Sequence, residues 1–128
     1  MNDAEHRHQC SVAQYLDLKY PGLLWTASCG GMRTSIGAAV KMKKMGYKKG
    51  CPDIMVFEPR GLYHGLFVEL KAPAGFGQAA GKIKPEQMEF LSWASLRGYK
   101  AEFAYGSQEA CRIIDDYLKL VKPTTVGI

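Results

Sequence analysis

The chain has no apolar run long enough to cross a membrane. Its longest unbroken runs, such as Ile54-Met55-Val56-Phe57, fall far below the roughly 20 residues a spanning helix needs. The N-terminus, Met-Asn-Asp-Ala-Glu-His-Arg-His, lacks an apolar signal region, which argues against secretion by that route. The four cysteines, at 10, 29, 51 and 111, never form a Cys-x-x-Cys pair. Free thiols in a reducing cytoplasm are the simplest expectation. Internal repeats and long low-complexity linkers are missing too.

Acidic residues are missing from one third of the sequence. Between Leu18 and Pro52 there is no Asp or Glu, while Lys19, Arg33, Lys41, Lys43, Lys44, Lys48 and Lys49 all fall there. The rest of the chain carries 10 basic and 12 acidic residues, so the whole excess behind the net charge of +5 sits in that block. A localised basic block is the footprint expected for a polyanionic partner, most often nucleic acid. A solvated Lys-rich face is the plainer alternative.

What is present suits one folded domain. The 128 residues are 47% hydrophobic and 11% aromatic, which argues against disorder. A compact chain of this length has a radius of gyration of roughly 14 Å. Residues 1–121 read as a single domain and 122–128 as a flexible tail.

Apolar spacing predicts a helix over 4–18, with Val12 and Leu16 on its core stripe and Gln9 and Glu5 continuing the same face. Pro21-Gly22 ends it. A strand over 23–28 and a helix over 35–45, closed by Gly46, follow. Two strands, 53–58 and 65–71, are separated by the turn signal Pro59-Arg60-Gly61 and read as a hairpin. Residues 72–82 read as a mobile loop. Pro85 suits the first turn of a helix with Met88, Leu91 and Ala94 inward. A strand over 101–105 precedes a last helix N-capped by Ser107, with Cys111, Ile114 and Leu118 inward. The order is α-β-α-β-β-α-β-α, an α/β domain with a mixed sheet flanked by helices.

The hairpin carries the chemistry. Leu66, Val68 and Leu70 alternate with Phe67, Glu69 and Lys71, so the second set should point away from the core together. If the turn centres on Gly61, antiparallel pairing sets Asp53 opposite Glu69, with Cβ atoms about 5 Å apart. Two carboxylates that close need a compensating charge, and a divalent cation such as Mg²⁺ suits their oxygens. Lys71 beside it could orient an attacking water or stabilise charge developing on a phosphorane. Cation, water and lysine meet the needs of phosphodiester hydrolysis. Alone, Pro-Asp and Glu-x-Lys are common; the apolar strands around them and the helix after them give them weight.

This pattern, Pro52-Asp53 followed by Glu69-Leu70-Lys71, resembles the PD-(D/E)xK nuclease superfamily with its restriction-endonuclease-like core. The wider text is similar to the VRR-NUC group. The shared features are the first helix with Glu5 and Gln9, Gly30-Gly31-Met32-Arg33, Gly50 to Asp53, Gly65 to Lys71, Gln87, Gly98-Tyr99, and Gly106 to Ala110. Cys29 stands where many relatives carry Asn. The resemblance implies that Asp53, Glu69 and the Leu70 backbone carbonyl hold Mg²⁺, with Mn²⁺ able to substitute. It implies that Lys71 is the catalytic lysine, that Glu5 approaches the metal, and that Gln87 positions substrate or water. It further implies a phage- or bacterium-encoded, cytoplasmic homodimer that cuts branched, Holliday-junction-like DNA in repair or recombination. The basic block (Arg33, Lys41, Lys43, Lys44, Lys48 and Lys49) would hold the DNA backbone. A nicking or flap nuclease, or a non-catalytic nucleic-acid-binding module on the same fold, are the competing expectations.

Other motifs carry less. Gly77 to Lys82 lacks the residues of a phosphate loop, with Phe76 and Ile83 at the deciding positions. His6, His8 and Cys10 would diverge on a helix and not converge on one zinc ion. Trp25 is expected in the core, and Phe76 is the better candidate for stacking on a base.

Overall fold

A computed structural model describes residues 2–28, 35–75 and 77–124. The expected order holds: α1 (Asp3–Lys19), β1 (Trp25–Ala27), α2 (Ile36–Lys44), β2 (Ile54–Val56), β3 (Leu66–Lys71), α3 (Pro85–Leu96), β4 (Lys100–Tyr105) and α4 (Ser107–Leu118). The four strands form one sheet in the order β1-β2-β3-β4. The first two pairings are antiparallel and β3 runs parallel to β4, so the sheet is mixed, with α3 as the crossover helix.

β3 is central, and every one of its residues is buried. On one face Leu66, Val68 and Leu70 pack with Ile54 and Val56 of β2 beneath Val12 and Leu16 of α1 and Ala110, Ile113, Ile114 and Tyr117 of α4. On the other, Phe67 packs against Leu91 and Ala94 of α3 and stacks on Tyr99 at 4.6 Å. Burying each large apolar side chain is worth about 1.5–3 kcal/mol, so the strand is anchored from both sides.

Phe67, Glu69 and Lys71 do point away from the main core, and the second layer encloses them. α3 covers that face, and Glu69 and Lys71 are only 2% and 4% exposed. Three expectations shift. Met88 is about half exposed, while Leu91 and Ala94 carry the inward stripe of α3. The buried stripe of α4 is Ala110, Ile113, Ile114 and Tyr117, with Cys111 and Leu118 only partly buried at its margin. Gly106, not Ser107, caps α4, and the Ser107 N–H is met by His8 Nδ1 of α1 at 3.0 Å.

The described residues of the 72–82 segment form a loop, as expected, and it carries backbone hydrogen bonds of its own. Gly75 and Gln78 exchange two backbone hydrogen bonds, and the Gly81 N–H donates to the Ala72 carbonyl at 2.9 Å. The segment folds back on itself beside the end of β3. Arg33, Cys29 and the Gly30-Gly31 turn lie outside the described residues, as does Phe76. Trp25 is partly buried and packs on the main core. No helix among the described residues is long and apolar enough to cross a membrane.

Candidate active site

The β2–β3 ladder pairs Ile54 with Val68 and Met55 with Phe67. One rung further, the same register sets Asp53 opposite Glu69, the pairing expected from a turn centred on Gly61. Asp53 ends the ladder, and its Oδ2 accepts a hydrogen bond from the Leu70 N–H at 2.8 Å. Lys71 Nζ lies 3.9 Å from Glu69 Oε1. Gln87, in the first turn of α3, donates from Nε2 to the same Glu69 oxygen at 2.9 Å. Its Oε1 accepts from the Lys84 N–H at 2.9 Å, closing the helix cap.

Gly50 makes this approach feasible. Its φ is +90°, and a Cβ there would stand 2.2 Å from the Glu86 carbonyl oxygen. Only a residue without a side chain lets the segment before Asp53 pass so close to the start of α3. Glu5 enters from α1, whose N-terminus is capped by Asn2 Oδ1 accepting from the Glu5 N–H at 2.8 Å. The Glu5 carboxylate and the Lys71 stem both lie against Gly81, where an added Cβ would be 3.0 Å from Glu5 Oε1 and 3.3 Å from Lys71 Cδ.

These residues line one cleft of about 540 Å³, with Glu5, Asp53, Glu69, Lys71 and Gln87 all on its wall. The electrostatics are unfavourable for the bare protein. Burial pushes both the Asp53 and Glu69 carboxyls above the ordinary range. For Glu69 the Asp53 charge adds to burial. For Asp53 the Leu70 N–H and the shared hydrogen bond with Glu69 pull the other way. Burial and mutual repulsion thus favour retention of a proton by the pair in the metal-free protein. Glu69 Oε2 is buried and finds no hydrogen-bond partner among the described residues.

A buried, unpartnered carboxylate oxygen beside a second carboxylate is the donor set a small hard cation fits. The described residues hold no group of three or more His, Cys, Asp or Glu side chains able to share one ion. The fit therefore rests on two carboxylates, as is usual for Mg²⁺. His6, His8 and Cys10 do not gather on one ion: Cys10 and His6 meet at 3.5 Å, a helical turn apart, while His8 faces Ser107.

The model of the VRR-NUC domain matches residues 3–108 of this chain. The chain belongs to the VRR-NUC domain family. It is thus a nuclease-fold domain of the PD-(D/E)xK superfamily, and its substrate class is nucleic acid. A solved structure described as a VRR_NUC domain protein superposes with a TM-score of 0.74 at 29% identity, over 95% of this chain and 93% of that one. Among curated proteins none matches significantly.

Within this VRR-NUC domain, the basic block splits. Lys41, Lys43 and Lys44 lie exposed on α2, no residue of which is buried. Lys48 is exposed on the connection to β2, and Lys49 reaches the cleft and pairs with Glu86 at 3.7 Å. Two cleft lysines escaped the sequence reading, Lys82 and Lys84. They lie outside the acid-free block, in a stretch whose composition balances to a slight negative. The available signal was their position just before the helix that carries Gln87.

Proposed function

We propose that this VRR-NUC domain is a Mg²⁺-dependent DNA endonuclease, with Mn²⁺ able to substitute. The observation that carries the reading is the buried Asp53–Glu69 pair with its unpartnered Glu69 oxygen and Lys71 alongside. Asp53, Glu69 and the Leu70 backbone carbonyl would hold the cation, with Glu5 at its outer side. When bound, the cation supplies Lewis-acid polarisation of the phosphate and a nucleophile at neutral pH.

The chain's own residues do the rest. Asp53 is held by the Leu70 N–H, which fixes one oxygen and leaves the other for a ligand. Gln87 fixes Oε1 of Glu69 and leaves Oε2 turned to the same purpose. Lys71 is held in place by burial and by Gly81. From there its ammonium orients a water against the phosphorus or stabilises the equatorial oxygens as charge develops. Lys41, Lys43, Lys44, Lys48 and Arg33 would contact the phosphate backbone without reading bases.

The finer parts of the reading are selectivity for branched DNA and action as a homodimer. A dimer gives two sites for the two strands of a junction. Its support here is apolar surface left open: Ile36 and Met45 near α2 and Leu96 of α3 are each more than four-fifths exposed.

The test is a cleavage panel of single-stranded, duplex, flap and four-way-junction DNA with Mg²⁺, run on the parent and on Lys71→Ala, with light scattering for the oligomeric state. Loss of about 10²–10⁴-fold in rate with binding retained is expected for Lys71→Ala. A parent that binds but never cleaves would favour a non-catalytic binding module. Equal cutting by parent and variant would remove Lys71 from the mechanism.

A further inference from the structure

The cleft is layered by charge. Its floor is acidic and buried, with Asp53 and Glu69, while the residues at its mouth include the exposed lysines Lys49, Lys82 and Lys84. The acidic floor offers a phosphodiester no attraction of its own, so cations at the rim favour the approach of a strand. Lys49 is already engaged with Glu86. Lys82 and Lys84 have no ion-pair partner among the described residues.

Their placement is fixed by the backbone. The 72–82 segment returns on itself through the Gly75–Gln78 bonds and the Gly81–Ala72 bond. That return seats Gly81 against the Lys71 stem and delivers Lys82 immediately beside it. Lys84 is tied down at the other end, where its N–H is held by Gln87 Oε1. Both side chains are thus set on one bank of the cleft by groups that also position the candidate catalytic residues.

We propose that residues 81–84 form one wall of the substrate cleft and that the Lys82 and Lys84 ammonium groups hold successive phosphates of the DNA strand lying over Lys71. The inference rests on the nuclease reading and extends the contact surface beyond the acid-free block. The contacts are to the backbone, so they add affinity and register and carry no base preference.

The experiment measures binding of a fluorescein-labelled duplex by anisotropy across a NaCl series in EDTA, where no cleavage occurs. The proteins are the parent, the double variant Lys82→Gln/Lys84→Gln, and a charge-matched control, Lys119→Gln/Lys122→Gln. Each phosphate contact contributes about 0.9 to the slope of log K against log salt. The cleft double variant is expected to lose about 1.8 of slope and the control nothing. Thermal melting checks the fold. If the double variant does not fold, each single variant is expected to lose about 0.9 instead. An unchanged slope in the cleft variants, or an equal loss in the control, overturns the proposal. Failure of the nuclease reading looks different: the parent itself then shows no cleavage of any DNA in the panel with Mg²⁺.

Discussion

Gln87 spends both ends of one amide. Its Nε2 donates to Glu69 Oε1 at 2.9 Å and its Oε1 accepts from the Lys84 N–H, also at 2.9 Å. The first turn of α3 and the buried carboxylate on β3 are thereby locked to each other. Each end of the amide keeps one further hydrogen-bonding place, so Gln87 can hold Glu69 and still meet a water or substrate in the cleft it lines.

Replacing Gln87 with Ala should let Glu69 rotate and lower divalent-cation affinity about 10–100-fold, the usual cost of losing a group that orients a metal ligand. The Mg²⁺ dependence of the initial rate and the Mg²⁺-induced rise in melting temperature should move together. If both stay at the parent's values, the amide serves only to cap the helix.

The Glu69 carboxyl makes stability depend on pH. Burial first, and then the Asp53 charge, lift it to about 9. Between the ordinary glutamate value of 4.5 and about 9 the folded protein holds a proton that the unfolded chain has released. The stability of the metal-free protein should therefore fall as pH rises through that window. Glu69→Gln removes the effect. Near pH 8 it is expected to raise metal-free stability by at least about 1.4 kcal/mol, one pH unit's worth, and to abolish the stabilisation by Mg²⁺. Urea unfolding with and without Mg²⁺ measures both. A less stable variant would mean that the glutamate is structural.

Much of this site is legible in the sequence. Asp53, Glu69 and Lys71 stand out because a hairpin's register follows from its turn centre, and Gly61 sits where that centre falls. Glu5 is visible as a polar residue continuing an apolar helical stripe, and Gln87 through the family resemblance. What escaped depends on tertiary layering. Strand alternation says that Phe67, Glu69 and Lys71 share a face, but not that α3 covers it; the burial that perturbs Glu69 comes from that covering. Lys82 and Lys84 escaped because composition averages over sequence, while the cleft gathers side chains by a backbone that folds back at Gly75 and Gln78.

At the far face, Asp115 ties α4 to α1. Burial alone would raise its carboxyl, yet hydrogen bonds from the Tyr15 and Tyr20 hydroxyls, at 2.5 and 2.6 Å, and the Lys19 ammonium at 3.2 Å hold it below the ordinary 3.8. The contribution is full above the unfolded value and is lost as pH falls below it, through the lower folded value. Asp115→Asn should cost about 1 kcal/mol at neutral pH, since the cluster is partly exposed. The gap between variant and parent should close below pH 3.8. Denaturant titrations from neutral to acid pH give this directly; a gap that persists unchanged in acid would show that the charge on Asp115 is not what matters.

Gly81 offers the cleanest separation of catalysis from folding. A Cβ there meets Lys71 Cδ at 3.3 Å and Glu5 Oε1 at 3.0 Å, both on flexible side chains that can yield by a few tenths of an ångström. Gly75, in the same fold-back, has nothing within 4 Å. Gly81→Ala should therefore shift the Lys71 ammonium while leaving the fold intact. A misplaced catalytic group loses rate steeply with distance, so kcat should fall on the order of 10-fold, with KM and the melting temperature close to the parent's. Gly75→Ala should change neither. Should Gly81→Ala keep full kcat, the position of Lys71 is not set from this side of the cleft. If it lowers kcat and melting temperature together, Gly81 is a packing position of the fold and not a rest for the lysine.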